Sequence, residues 1–318
     1  MLKNLSDIVK KAEILSQKRA AIVVSEDDLV IDGVFRAYEN RLIIPQLIGN
    51  KSKILSFLAA KPFYKKLFNN KNNDIEILNA KNDADAAYIA VKLAVEKKID
   101  IIIKGHIHTD VFMHQLILKE NGLRTNRYIS HIFVMEIKTY KKLILITDAA
   151  VNINPDISEK AQILQNAIDL AVMLGIKRPK AAMLSAVETI NPKISSTLDA
   201  AIISKMAERG QIVGGIVDGP LAFDNVISKQ AAVEKGIKSK VAGDADIIVV
   251  PNIESGNILF KDLEYLAGAK VAGIVMGLAV PVVLTSRSDN IEARLYSTAL
   301  ASIVSENYDK FLEYKAWI

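Results

Sequence analysis

Residues 20–49 read AAIVVSEDDLVIDGVFRAYENRLIIPQLIG. Ala20 to Val24 is short, continuous and rich in β-branched side chains, as expected of a strand covered on both faces. The polar stretch that follows opens a helix over Asp27 to Asn40. Leu42 to Ile48 is the next apolar run, closed by Gly49. Strand, helix and strand in this order are the repeating unit of a parallel sheet.

The same alternation continues outward. It predicts a helix over Ser52 to Asn69, a strand at Ile75 to Leu78, and a helix from Asp83 to Lys97. That helix sets Ala87, Ala90, Val91, Ala94 and Val95 on one face. Asp100 to Ile103 is strand-like, and Thr109 to Leu118 is helical. From Arg127 the character changes. Tyr128 to Lys138 and Leu143 to Thr147 look like adjacent strands turning at Lys141-Lys142. Helices then follow at Ser158 to Leu174, Ser196 to Arg209, Phe223 to Lys235, Ser255 to Ala267 and Ile291 to Tyr314. Between them lie strands at Ala181 to Ser185, Ile212 to Val217, Ile247 to Val250, Val271 to Met276 and Val280 to Leu284. The pattern predicts an α/β protein with largely parallel sheets. Two domains are expected: residues 1–135 with 281–318, and residues 136–280. A ligand would bind in a cleft between them, near the carboxyl ends of strands.

The 318 residues carry 41 Lys and Arg against 36 Asp and Glu, a net charge of +5, and half are hydrophobic. That composition excludes disorder as the main state. The charge forms no basic stripe of the kind a nucleic-acid binder needs, although a modest positive field can attract an anionic substrate. Cys is absent, which excludes disulfides, Cys-ligated metal centres and a Cys nucleophile. The first residues, MLKNLSDIVKKAEILSQKRAA, have no apolar secretory core. The most apolar stretch, Val271 to Thr285, is too short for a bilayer and contains Gly273, Gly277 and Pro281. A soluble cytoplasmic protein without membrane contact is expected. No G-x-G-x-x-G, H-E-x-x-H or G-x-S-x-G occurs, and Gly49-Asn50-Lys51-Ser52 misses the spacing of a P-loop.

Five clusters can carry chemistry. Lys104-Gly105-His106-Ile107-His108-Thr109-Asp110 links a strand to a helix. Thr109 suits an N-cap, the helix start favours an anion, and Lys104 adds a cation. A metal site from His106 and His108 with His114 lacks further ligands, and a capped turn with surface imidazoles is the plain alternative. Arg124, Arg127, Ser130 and His131 suit phosphate through guanidinium forks, or else form a solvated loop. Asp218 follows a strand and Asp224 sits in a first helical turn, as catalytic groups or as helix-start partners. Pro251 to Ile258 links a strand to a helix, with Asn252, Glu254, Ser255, Gly256 and Asn257, and Lys261 one turn on. It is a ligand loop or an ordinary capped turn. Thr285-Ser286-Arg287-Ser288-Asp289 precedes the last helix and is either an oxyanion and phosphate site or a helix cap.

The segments KGHIHTD, RYISHIFVM, ITDAAVNI, SAVETINP, STLDAA, DGPLAFDN, AGDADI, PNIESGNIL and LTSRSD occur in this order. Together they resemble the phosphate acetyltransferase and phosphate butyryltransferase family over about residues 20 to 315. TSRSD, HTD and SHIFVM lean toward the butyryltransferase-like branch. The resemblance implies two α/β domains like those of isocitrate and isopropylmalate dehydrogenases. It implies reversible conversion of acyl-CoA and phosphate to acyl phosphate and CoA, with a butyryl or another short acyl group. CoA is then a substrate, with no resident cofactor or metal, and the protein is a homodimer or larger homo-oligomer.

By the same resemblance, Ser286 donates to the developing oxyanion and Arg287 holds the phosphoryl group or steadies the carbonyl. Ser130 and His131 then line the phosphate side of the cleft and Asn252 to Asn257 its loop, while Lys104, His108, Thr109, Arg127, Asp218 and Lys261 join the substrate-binding set from the clusters themselves. The family's acid after the Ser-Arg pair is matched here by Ala293, so Asp289 is the candidate base, with Glu292 nearby. A CoA thiol with a pKa near 8.5, like that of free Cys, needs such help to attack as thiolate. Two alternatives stand beside this reading. One is a metal- and NAD(P)-dependent decarboxylating dehydrogenase of related fold, drawing on Asp218, Asp224, Asp244 and Asp246. The other is a non-catalytic acyl-CoA or phosphometabolite binding protein. A hydratase has no separate domain to occupy.

Overall fold

The computed structural model describes residues 2–68, 74–286 and 289–313. Its strands are β1 Lys18–Val23, β2 Ile43–Gly49, β3 Glu76–Asn79, β4 Ile101–Lys104, β5 Ser130–Glu136, β6 Ile144–Thr147, β7 Lys180–Leu184, β8 Ile216–Leu221, β9 Ile247–Val249, β10 Lys270–Met276 and β11 Val282–Val283. The helices are α1 Leu5–Glu13, α2 Asp28–Glu39, α3 Lys51–Ala60, α4 Pro62–Phe68, α5 Asp83–Val95, α6 Thr109–Ile117, α7 Ile157–Met173, α8 Ser195–Glu208, α9 Phe223–Ile227, α10 Lys229–Glu234, α11 Ile253–Lys261, α12 Ile291–Glu306 and α13 Tyr308–Glu313.

The chain divides into two compact units. The N-terminal unit is Ser6–Arg127 with Ala272–Tyr308; the central unit is Met1–Leu5, Tyr128–Val271 and Asp309–Ile318. The sequence boundary at 135 therefore falls inside β5. This strand pairs antiparallel with β6, Ile132 opposite Thr147, and so belongs wholly with the central unit. The boundary at 280 moves back to residue 271, because Val275 of β10 pairs with Val282 of β11 and β11 pairs with β4.

In the N-terminal unit the strand order is β3-β2-β1-β4-β11-β10, parallel except for β10. In the central unit it is β5-β6-β9-β7-β8, parallel except for β5. Ala20, Ala21, Ile22 and Val23 of β1 are fully buried, as are Ile101 and Ile102 of β4. A fully buried Ile or Val stabilises by about 1.5–3 kcal/mol, against about 1–2 kcal/mol for ordering each residue's backbone.

Helix starts follow the strand ends because polar caps stand there. The side chains of Asp27, Asn50, Asn82, Asp156, Asn252 and Asn290 each accept a backbone N–H of the first turn. Three predicted helices are broken. Lys61 is extended before Pro62, which separates α3 from α4; the residue before a proline is pushed out of the helical region. Ser228 ends α9 and caps α10. Asn307 interrupts the closing helix between α12 and α13. Asn69 and Tyr314, the expected ends of two helices, lie outside the described residues. No helix among the described residues is long and apolar enough to cross a membrane.

Candidate active site

The carboxyl ends of β1, β4 and β11 lie side by side in the N-terminal unit. The chain leaving β4 hugs the end of β1: Gly105 N–H donates to Val23 O and His106 N–H to Val24 O, both at 2.8 Å. A Cβ on Gly105 would stand 2.2 Å from Val24 O, so only glycine fits. Val24 itself has φ +57°, a left-handed conformation that costs a β-branched residue about 1–3 kcal/mol and is typical of functional turns. Lys104 is 1% exposed, with Nζ 3.4 Å from Thr285 O and 3.5 Å from Gly105 O. His106 Nδ1 lies 3.2 Å from Asp27 Oδ2, while Asp27 Oδ1 caps α2. The cap of α6 is His108, without a side-chain bond. Thr109, expected as the cap, is instead the first helical residue, and both are exposed.

After β11 the chain makes a tight turn into α12. Ser286 N–H donates to Asp289 Oδ2 at 2.8 Å, and Asp289 N–H reaches Ser286 O at 3.3 Å. The Asp289 carboxylate thus shapes the turn that presents the exposed Ser286. Arg287 and Ser288 lie outside the described residues. One turn into α12, Arg294 is 7% exposed. Its Nη1 donates to Thr285 Oγ1 at 3.0 Å and its Nη2 to Ser286 O at 3.1 Å; Nε is enclosed without an acceptor. Thr285 Oγ1 also lies 3.4 Å from Lys104 O. Gly33 of α2 leaves the room this arginine uses, with its would-be Cβ 3.1 Å from Arg294 Cδ. Burial lowers the pKa of the guanidinium, and the charges of Asp289 and Asp27 oppose that shift. No ion pair of Arg294 is formed among the described residues. A buried cation held only by a hydroxyl and a carbonyl gives a positive field beside Ser286, suited to a phosphate or a developing oxyanion.

The central unit carries a second polar cluster where β5 begins and β6 and β9 end. Ser130 and His131 are fully buried at the start of β5. Asn166 of α7 donates to Ser130 Oγ at 2.8 Å and to Tyr128 O at 2.7 Å. The His131 ring lies 4.2 Å from Phe133, which stacks on Phe260 at 3.8 Å. Asp148, directly after β6, is buried and accepts N–H groups of His131, Ala150 and Val151 and the Asn152 amide. Desolvation raises its pKa, with those four hydrogen bonds pulling the other way. Asn257 donates to Ala149 O at 3.3 Å, tying the Asn252–Asn257 segment to this cluster. Asn252 and Ser255 cap α11 reciprocally. Gly256 is tightly packed within this segment. Its would-be Cβ meets Val250 Cγ2 at 2.7 Å and Ala149 Cα at 3.0 Å. Glu254 and Lys261 are exposed, and Lys261 Nζ sits over the Phe260 and Tyr265 rings.

Other expected residues are not gathered there. Asp218 lies in mid-β8 and accepts Gly219 N–H; β8 is the far edge of its sheet, four strands from β5, roughly 19 Å away at normal strand spacing. Asp224 pairs with Lys235 at 3.0 Å, Asp244 with Lys142 and Lys180, and Asp246 with Lys142 at 2.7 Å. These four acids do not converge, and no group of three metal-ligating side chains occurs among the described residues. Arg124 is exposed, and Arg127 is half-buried near the Tyr308 hydroxyl, whose pKa is raised by burial and lowered in part by that charge.

Sequence reasoning missed Arg294, Asp148 and Asn166. Arg294 had a legible signal, a cation in the first turn of a helix, where the dipole disfavours it. Asp148 stood inside the quoted ITDAAVNI segment, yet an acid after a strand looks the same whether buried or exposed.

The description of the matching family model is phosphate acetyl/butaryl transferase, over residues 58–302. The phosphate acetyltransferase of Rickettsia felis is 46% identical over 303 residues, 95% of this chain and 85% of that protein. The phosphate butyryltransferase of Clostridium acetobutylicum is 42% identical over 307 residues, 96% of this chain and all of that protein. The crystal structure of a branched-chain phosphotransacylase from Enterococcus faecalis superposes with TM-score 0.75 at 31% identity, covering 90% of this chain and 99% of that one. At the level of fold alone, a 4-hydroxythreonine-4-phosphate dehydrogenase from Klebsiella pneumoniae aligns with TM-score 0.53 over 91% of this chain and all of that one, at 13% identity. With its motifs in order and relatives spanning almost its whole length, the chain belongs to the phosphate acetyl/butaryl transferase family.

Proposed function

We propose that this protein is a phosphate acyltransferase, converting acyl-CoA and phosphate reversibly to acyl phosphate and CoA. The observation that carries this reading is Arg294, buried beside Thr285 and Ser286 without an acid partner among the described residues, in a chain of this family. In the direction of acyl-CoA synthesis, the CoA thiolate attacks the acyl-phosphate carbonyl. Ser286 donates to the tetrahedral oxyanion, and Arg287 holds the phosphate that leaves. Arg294 and Lys104 keep the local field positive. Asp289, whose carboxylate holds the Ser286 amide, takes the thiol proton in this scheme. The Ser130–His131 segment and the Asn252–Asn257 segment, steadied by Asp148, bind substrate in this scheme.

Transfer is direct, without a covalent acyl-enzyme; a trapped acyl-enzyme with ping-pong kinetics would overturn that step. The acyl group is short, butyryl being the first choice. No resident cofactor is used, CoA enters as a substrate, and the enzyme works as a cytoplasmic homo-oligomer. The test is phosphate-dependent release of CoA from acetyl-, propionyl-, butyryl- and branched acyl-CoA, followed with a thiol reagent. The protein has no Cys and adds no thiol background. Release that requires phosphate and peaks at one chain length is expected. CoA binding without release from any acyl-CoA would return the protein to the binding-only reading.

A further inference from the structure

One cavity lined by described residues belongs to the central unit, but not to the polar cluster around Asp148. It has a volume of about 990 Å³ and lies at the opposite, N-terminal ends of the parallel strands. Its walls come from the β5–β6 turn, the first residues of β7 and β8, the start of α10 and the loop before β9. The Asp148 cluster sits where β6 and β9 end, so the length of β6, roughly 13 Å, separates the two places.

The charge of the lining is uneven. Five lysines face it against a single aspartate, 5 − 1 = +4. Two of the lysines are accounted for. Lys142 bonds Asp244 at 2.9 Å and Asp246 at 2.7 Å, and Lys180 pairs with Asp244. Burial raises the pKa of Asp244, but hydrogen bonds from Lys180 and Lys142 outweigh it and hold the carboxyl below its usual value. The acid is therefore ionised and committed to those two cations. Lys141, Lys229 and Lys240 have no acid partner among the described residues. Like charges gathered around one concavity repel one another, and an anion of matching size relieves that repulsion. The remaining wall is apolar: Ile216 and Ile227 line it beside the ring of Tyr140, whose hydroxyl is taken by Ala245 O at 2.7 Å. A cavity this size is too large for inorganic phosphate alone and falls within the range of organic ligand sites.

We propose that this cavity is a second binding site, for a phosphate-rich organic anion of nucleotide size. Lys141, Lys229 and Lys240 take its phosphates, and the Tyr140–Ile216–Ile227 wall takes its flat or apolar body. A free nucleotide and the nucleotide head of CoA share this chemistry. The site is separate from the residues assigned to transacylation, and its occupancy is independent of that assignment.

The test compares the wild type with a Lys141→Glu/Lys229→Glu/Lys240→Glu variant in calorimetric titrations at 0.1 M salt. ATP and desulfo-CoA are the probes, and phosphate-dependent CoA release is assayed alongside. The variant is expected to keep its CoA release. One equivalent of anion per chain is expected to be lost from the titration, or weakened by about a hundredfold or more, because three charge-assisted contacts are reversed. Loss of an ATP equivalent alone identifies a free nucleotide. A fall from two desulfo-CoA equivalents to one identifies a CoA head group. Equal titrations of both proteins, or no binding of either probe to the wild type at 1 mM, roughly the weak end for such contacts, overturn the proposal. Lost ATP binding in a protein that never releases CoA would leave this site standing and remove the transacylase reading instead.

Discussion

Arg294 separates what a residue does for chemistry from what it does for stability. It is buried, lacks an acid partner among the described residues, and holds Thr285 Oγ1 and Ser286 O. A buried cation without an acid partner is costly to desolvate, so an apolar side chain of similar length in its place need not destabilise the fold, whereas removing a positioned donor near an oxyanion lowers turnover by roughly 10²-fold or more. Arg294→Met is therefore expected to keep or raise Tm while kcat falls and the KM for acyl-CoA stays near its wild-type value. A parallel loss of Tm would make Arg294 a structural residue. Arg287→Ala is expected to lose at least about two orders of magnitude in rate with little loss of stability, and near-normal turnover would remove it from the site. Asp148 makes a pH prediction. Burial raises its folded pKa above the unfolded carboxylate value of about 3.9, so the folded state binds the proton more tightly. Its contribution is most favourable below the unfolded pKa and declines as pH climbs through the folded one. Asp148→Asn has no such titration and offers one oxygen to four donors, so it is less stable throughout. The gap between the two proteins in denaturant titrations should narrow from pH 4 upward; a constant gap would show that Asp148 does not titrate as stated.

At the scale of elements, the helix starts were legible because Asx caps are local chemistry: Asp27, Asn50, Asn82, Asp156, Asn252 and Asn290 each stand beside the turn they cap. The break at Pro62 was equally readable and was passed over. Thr109 was misassigned as a cap because a Ser or Thr hydroxyl is the usual signal, and here the cap residue is a histidine with no side-chain bond. Gly256 shows the limit of such reading. A glycine after a strand suits a ligand loop or close packing, and only the tertiary structure shows Ala149 and Val250 packed against it. Gly256→Ala is expected to push α11 off Ala149 and destabilise by about 1–3 kcal/mol, the usual cost of overpacking, measurable by denaturant titration. An unchanged midpoint would mean that α11 shifts without penalty.

For the whole molecule, the net charge of +5 is small, but acyl-CoA and phosphate are both anions. Diffusional encounter should be steered, so kcat/KM for acyl-CoA should fall as salt rises from low ionic strength toward 0.3 M, a concentration that shortens the screening length to roughly 6 Å. A flat salt profile would mean that the lysines scattered over the surface act only as a solvated coat. The same lysines conceal the cavity beneath the β5–β6 turn. Lys141, Lys229 and Lys240 are far apart in the chain, and nothing in their spacing marks them as neighbours.

Taken alone, the sequence determined the α/β class, the alternation of its elements and the family. Each of these rests on local propensity, periodicity or ordered motifs, all carried by neighbouring residues. The unit boundaries at residues 127 and 271 needed the pairing of β5 with β6 and of β10 with β11, which joins residues distant in the chain. The burial of Arg294 and Asp148, the removal of Asp218 to a far sheet edge, and the gathering of lysines around one cavity were likewise tertiary outcomes. Charge type is written in the residue, but desolvation and partnership come from what the fold packs around it, and these decide whether a charged side chain is solvated, structural or chemical.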